Sequence, residues 1–146
     1  MKRFDEVTGR VRENLEKVGV PFEEDDEGLW VEPRSDTGFS VGLTRDENEL
    51  TVWFEFWHWH FDKEDCDGAE MLFMLGLTNG MRLRLWSAGD AAYKARAEQL
   101  VENEWRPIST TTLVWFIPFW KKKREEVYQN SFPDEFPLEE DLEPEA

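Results

Sequence analysis

The chain opens with apolar residues at helical spacing. Phe4, Val7, Val11, Leu15 and Val18 recur every three or four positions, which sets them on one stripe of a helix. Gly19 and Pro21 end that helix. The period then changes. Leu29 to Glu32 and Phe39 to Thr44 read as short strands, the second bounded by Asp36-Thr37-Gly38 and Arg45-Asp46-Glu47-Asn48. From Glu49 to about His60 the pattern predicts one long strand. Leu50, Val52, Phe54 and Phe56 face one way, and Thr51, Trp53, Glu55, Trp57 and Trp59 the other. Apolar bulk on one side and indoles on the other imply cover on both faces.

Asp65 to Leu77 returns to a helical pattern, with Ala69, Leu72, Phe73 and Leu77 inward and Asn79-Gly80 as the stop. Met81, Leu83 and Leu85 alternate with Arg82, Arg84 and Trp86, a strand. Ala91 to Val101 has helical composition, yet Tyr93, Ala95 and Ala97 alternate with Lys94, Arg96 and Glu98. The alternation favours a hairpin with Met81–Trp86, gathering Arg82, Arg84, Lys94 and Arg96 on one face. Such a cluster needs anions, and Glu55 with its neighbours is the expected source. Thr110 to Ile117 reads as a strand, and Pro118 suits the first turn of a helix reaching Gln129. The expected fold is α+β: one antiparallel sheet of about five or six strands with about three helices packed mainly on one face.

Length and charge narrow the picture. The chain has 146 residues, fitting a single domain over 1–130 followed by an acidic, proline-containing tail over 131–146. That tail holds Asp134, Glu135, Glu139, Glu140, Asp141, Glu143 and Glu145 without one base, broken by Pro133, Pro137 and Pro144. Across the chain, 33 acids against 17 Lys and Arg give a formal net charge of -16. Direct nucleic-acid binding is therefore disfavoured, because phosphates need a cationic footprint. No apolar run approaches the ~20 residues that span a bilayer. Leu113 to Trp120 with Lys121-Lys122-Lys123-Arg124 is too short and is broken by Pro118; it reads better as a core strand followed by a solvated helix face than as a membrane-surface anchor. One cysteine, Cys66, and no leader-like apolar segment after Met1-Lys2-Arg3-Phe4 predict a cytoplasmic protein.

Candidate chemistry is sparse. His58, His60 and Asp62 stand at alternate positions, so on a strand two imidazoles and a carboxylate share a face and are candidate metal ligands. The spacing resembles the start of the metallo-β-lactamase motif. Lys63 stands where that motif has a further His, however, and the chain holds only 2 His. The competing reading places both imidazoles at the wet end of the strand, hydrogen-bonded to acids and water. Gly38-Phe39-Ser40-Val41-Gly42 has the letters of a nucleophile elbow, but no helix follows it. Asp65, Asp67 and Gly68 fail as a calcium loop, since Lys63 and Met74 occupy ligand positions. Glu64, Asp65 and Asp67 oppose a thiolate at Cys66. With no phosphate-cradling loop and no dinucleotide fingerprint, no cofactor is expected.

The stretch Glu49-Leu50-Thr51-Val52-Trp53-Phe54-Glu55-Phe56-Trp57-His58-Trp59-His60-Phe61-Asp62 resembles small acidic bacterial proteins, some of them grouped with immunity proteins of polymorphic toxin systems. Phe116-Ile117-Pro118-Phe119-Trp120 is similar in character. The resemblance implies a binding protein and assigns no site residue. Together with the charge, it leads to a non-catalytic, immunity-type inhibitor of a basic protein partner such as a toxin. Glu23, Glu24, Asp25, Asp26 and Glu27 would steer the encounter, and Trp53, Trp57 and Trp59 would anchor it if exposed. Two alternatives remain: a metal-binding protein or metalloenzyme built on His58, His60 and Asp62, and a nucleic-acid mimic that inhibits a DNA-binding protein.

Overall fold

The structure, a computed structural model, describes residues 2–113 and 120–131. Helix α1 spans Lys2–Val18, and the stripe of Phe4, Val7, Val11 and Leu15 is fully buried. The chain leaves it through Gly19 at φ 77°, a conformation that a Cβ would strain.

Five antiparallel strands then form the first sheet in chain order: β1 (Glu23–Glu24), β2 (Gly28–Val31), β3 (Val41–Arg45), β4 (Leu50–Phe54) and β5 (Trp57–Phe61). Helix α2 (Cys66–Gly76) follows. A second antiparallel sheet, in the order β8-β7-β6-β9, contains β6 (Met81–Ala88), β7 (Ala91–Val101), β8 (Glu104–Thr112) and β9 (Lys123–Tyr128).

The α+β class and the antiparallel pairing agree with the sequence. The single sheet and the third helix do not: there are two sheets and, among the described residues, two helices. The long strand expected over Glu49–His60 is a hairpin. Its turn is Glu55-Phe56, with Glu55 in the left-handed region at φ 53°. The Glu55 N–H donates to the Ser40 carbonyl (3.0 Å), and its carboxylate accepts from the Ser40 N–H (2.7 Å). These two bonds hold a conformation that glutamate alone would avoid. The fold-back sets Phe54 opposite Trp57 and Trp53 opposite His58.

The segment expected as a helix after Pro118 supplies β9 instead. Val127 pairs with Arg84 and Glu125 with Trp86, so an open strand edge outweighs helical composition. The strand expected over Thr110–Ile117 starts earlier, as β8; its residues 114–117 lie outside the described residues, as do Pro118 and Phe119. The 131–146 tail lies outside them too, except for Ser131.

The core gathers Leu29, Val31, Val41, Leu43, Leu50, Val52 and Phe54 from the first sheet, the α1 stripe, and Ala69, Phe73 and Met74 of α2. The second sheet adds Met81, Leu83, Ala95 and Ala97. Two polar ties join these parts. The Trp57 indole N–H donates to the carbonyl and hydroxyl oxygens of Ser109, both at 3.0 Å. Buried Asn130, just after β9, accepts from the Phe39 N–H (3.0 Å). Its amide donates to the carbonyls of Phe39 (3.0 Å) and Gly76 (2.9 Å).

Candidate partner-binding surface

The acidic run forms the tip of the β1–β2 hairpin. Asp25 shapes the turn, its Oδ1 accepting from the N–H groups of Glu27 (2.9 Å) and Gly28 (3.0 Å). Gly28 is needed where β2 meets β3, because a Cβ there would lie 2.3 Å from the Leu43 carbonyl oxygen. Glu24 takes a two-pronged contact from the Arg12 guanidinium at 2.9 and 2.6 Å. That hydrogen bonding holds its carboxyl below the usual carboxylate range. Glu23, Asp26 and Glu27 are exposed and have no ion-pair partner among the described residues. Beside the hairpin a cavity of about 310 Å³ is lined by Asp5, Arg12, Glu24, Asp26 and Arg45 among others. Arg45 closes on Asp5 there. Of the five acids in the run, Glu24 is neutralised and Asp25 shapes the turn, which leaves three carboxylates for a partner.

The three tryptophans do not act together. Trp57 is wholly buried, stacked on Phe54 with centroids 5.0 Å apart, and offers a partner nothing. Trp53 lies on the opposite face, where its indole N–H donates to Thr44 Oγ1 (2.9 Å) between Trp30 and His58. Trp59 alone presents a large surface, 42% exposed and stacked on Trp57. Register explains the division: the hairpin turn puts Trp57 and Trp59 on the core side and leaves Trp53 outside.

His58 and His60 share the outer face with Trp53, their rings 5.1 Å apart. His60 Nδ1 is 2.5 Å from Glu49 Oε2 and 2.9 Å from Thr51 Oγ1, so a neighbouring acid and a hydroxyl satisfy it. Asp62 does not join them. Its Oδ1 accepts the N–H groups of Glu64 (2.9 Å) and Asp65 (3.0 Å), shaping the loop before α2. Among the described residues no set of three or more His, Cys, Asp or Glu side chains is arranged to hold a metal ion. Cys66 is buried, its Sγ 3.4 Å from the Lys63 carbonyl.

A second feature is an apolar groove of about 280 Å³ where the edge of the first sheet meets α2 and the second sheet. Trp59 and Phe61 form one wall, Met71, Leu72 and Leu75 another, and Gln99 and Ile108 the floor. Met71 is 42% exposed.

The cationic cluster on the β6–β7 hairpin forms as the alternation implies, but a different acid balances it. Glu98, only 3% exposed, receives Arg82 Nε at 2.5 Å, Arg84 Nε at 3.2 Å and Arg96 Nε at 2.8 Å. Arg84 also pairs with Glu125 of β9. Burial pushes the Glu98 carboxyl upward, yet the three guanidinium hydrogen bonds outweigh it and hold the group at about 2. Arg82 lies over Trp105, 4.3 Å from the ring centroid, and Lys94 lies over Trp86 at the same distance. The sequence carries this signal, since Glu98 continues the alternation of Lys94 and Arg96. Glu55 is not the acid that balances the cluster, because the β4–β5 turn commits its carboxylate to the Ser40 N–H.

Comparison with protein-family models, curated proteins and solved structures finds no match for this chain. The class defined by the structure is therefore a two-sheet α+β protein with an acidic hairpin and an apolar groove.

Proposed function

We propose that this protein is a non-catalytic binding protein that engages a basic protein partner, in the manner of an immunity-type inhibitor of a toxin. One observation carries the reading. Asp26 and Glu27 in the β1–β2 turn and Glu23 at its edge are exposed and make no ion pair among the described residues, on a chain of net charge -16. Such an arrangement raises the encounter rate with a cationic surface and loses strength as salt screens it. The positions of Asp62 and His60 favour this reading. Asp62 is committed to its loop and His60 to Glu49 and Thr51, which weakens the metal alternative. The longest unbroken run of acids, Glu23 to Glu27, sits on one hairpin, and the other exposed acids are scattered over separate elements and do not form a phosphate-like row, which weakens the nucleic-acid mimic. A cytoplasmic location belongs to the same proposal. No helix among the described residues is long and apolar enough to cross a membrane, and the one cysteine is a buried free thiol.

The test is to immobilise the full chain, recover bound proteins from its source cells at low salt, and titrate the purified pair against NaCl. A basic protein whose affinity falls about tenfold or more toward physiological salt supports the proposal. Salt-insensitive binding, or recovery of acidic proteins only, overturns it.

A further inference from the structure

The groove between β5, α2 and the β7–β8 pair has a shape and setting that suit one kind of occupant. We propose that it is the docking site for an amphipathic, cationic helix of the partner, whose apolar side chains enter the groove while its basic side chains meet the surrounding acids. This deepens the reading of a basic protein partner and rests on it.

The groove lies where β5, the edge strand of the first sheet, meets α2 and the β7–β8 pair. Trp57 closes the seam by its bond to Ser109. Two residues further along the same face, Trp59 lies beyond that tie and is 42% exposed. Phe61 packs toward α2, where a Cβ on Gly68 would meet its ring at 3.0 Å. Nothing larger than glycine fits there without moving that wall.

The lining points to side-chain anchors. Trp59 is a rigid aromatic ledge, already fixed by stacking on Trp57, and tryptophan is enriched where binding energy concentrates. Met71 is the adaptable wall that repacks around a guest. About 280 Å³ is at the small end for a cofactor or substrate pocket and suits a few inserted apolar side chains. The lining joins Trp59 and Phe61, from the inner face of β5, to the α2 stripe of Gly68, Met71, Leu72 and Leu75. A guest therefore brings apolar groups at helical spacing, as in helix-in-groove recognition, and need not add a strand.

Charge selects the sign of the guest. The loop into α2 and its first turn carry Asp62, Glu64, Asp65 and Asp67 against Lys63 alone. Arg10 takes Asp67 at 3.0 Å and Glu70 at 2.7 Å, on the side of α2 that faces α1. Glu64 and Asp65 remain exposed next to the groove wall. Beyond the floor, the β7–β8 turn adds Glu102, while Glu104 there pairs with Arg106 at 3.7 Å. A second copy of this chain would bring the same acids against these, and an acidic helix would meet the same repulsion.

The probe is a synthetic Leu/Lys amphipathic helix, compared by calorimetry with a Ser/Lys peptide of equal charge and a Leu/Glu peptide of equal apolarity. Full-length protein is expected to bind the Leu/Lys helix at least about tenfold more tightly than either control. M71Q, a change at an exposed position, should lose about fivefold toward Leu/Lys and leave Ser/Lys unchanged, and Trp59→Gln should lose more. Equal, salt-sensitive binding of Leu/Lys and Ser/Lys would overturn the groove and leave the basic-partner reading standing. Equal binding of Leu/Glu and Leu/Lys would overturn the cationic guest. Self-association of the free protein that M71Q abolishes would assign the groove to a second copy and overturn the proposal.

Discussion

Replacing Glu98 with Gln keeps its size and removes its charge. Three guanidinium groups then face an amide that brings two donors of its own. In the wild type the Glu98 carboxyl is held at about 2, against 4.5 for an unperturbed glutamate. At about 1.4 kcal/mol for each tenfold change in proton affinity, that difference is worth roughly 3 kcal/mol of folding stability. The figure falls at the lower end of the ~3–5 kcal/mol that accompanies breaking a buried ion pair. The lower end fits, because the arginines keep side-chain exposures of 22%, 19% and 33% and stay partly hydrated. The direction with pH follows from the sign of the shift. A carboxyl whose folded value is depressed contributes fully above 4.5, and the contribution disappears as pH falls from 4.5 toward about 2. Urea unfolding followed by tryptophan fluorescence near neutral pH should show Glu98→Gln destabilised by about 3 kcal/mol. The gap between variant and wild type should close through that acid window. A cost below about 0.5 kcal/mol, or a gap that does not change through the window, would refute the reasoning.

Other perturbations test the ties between the layers. Asn130→Ala leaves the Phe39 N–H and the Phe39 and Gly76 carbonyls without their buried partner, and should cost about 1–3 kcal/mol by urea unfolding. Gly76→Ala puts a Cβ 2.4 Å from the Phe54 ring in the core and should cost about 1–3 kcal/mol, with a shifted near-ultraviolet circular-dichroism spectrum. Trp57→Phe keeps the stacking on Phe54 but loses the donor to Ser109, and should cost about 1 kcal/mol or more in the same assay.

Much of the fold can be read from periodicity where one face is dry and the other wet. The α1 stripe, α2 and the β6–β7 hairpin belong to that group, as does the cationic face of Arg82, Arg84, Lys94 and Arg96. Glu49–His60 could not be read that way. The alternation runs through the turn without Gly, Asn or Pro, and the turn depends on Ser40, a residue far along the chain. That hidden turn also explains why Trp53, Trp57 and Trp59 looked like one row when they lie on two faces. The strand after Pro118 was hidden for a related reason. Lys123 to Tyr128 reads as helical by composition, and only the open edge of β6 makes it a strand. At the candidate surface the acidic run was visible, but Arg12 capturing Glu24 was not, because the two residues meet only in the folded chain. The groove was invisible for the same reason, since its walls come from β5, α2, β7 and β8.

The most direct measurement is the association rate between this chain and the basic protein it recovers, by stopped flow across a range of ionic strength. Wild type and a variant carrying Glu23→Lys, Asp26→Lys and Glu27→Lys are compared. A wild-type rate that drops steeply with salt, beside a variant rate that starts at least about tenfold lower and falls less steeply, is the expected result. Matching rates with the same salt dependence would contradict the idea that the acidic hairpin is what finds the partner.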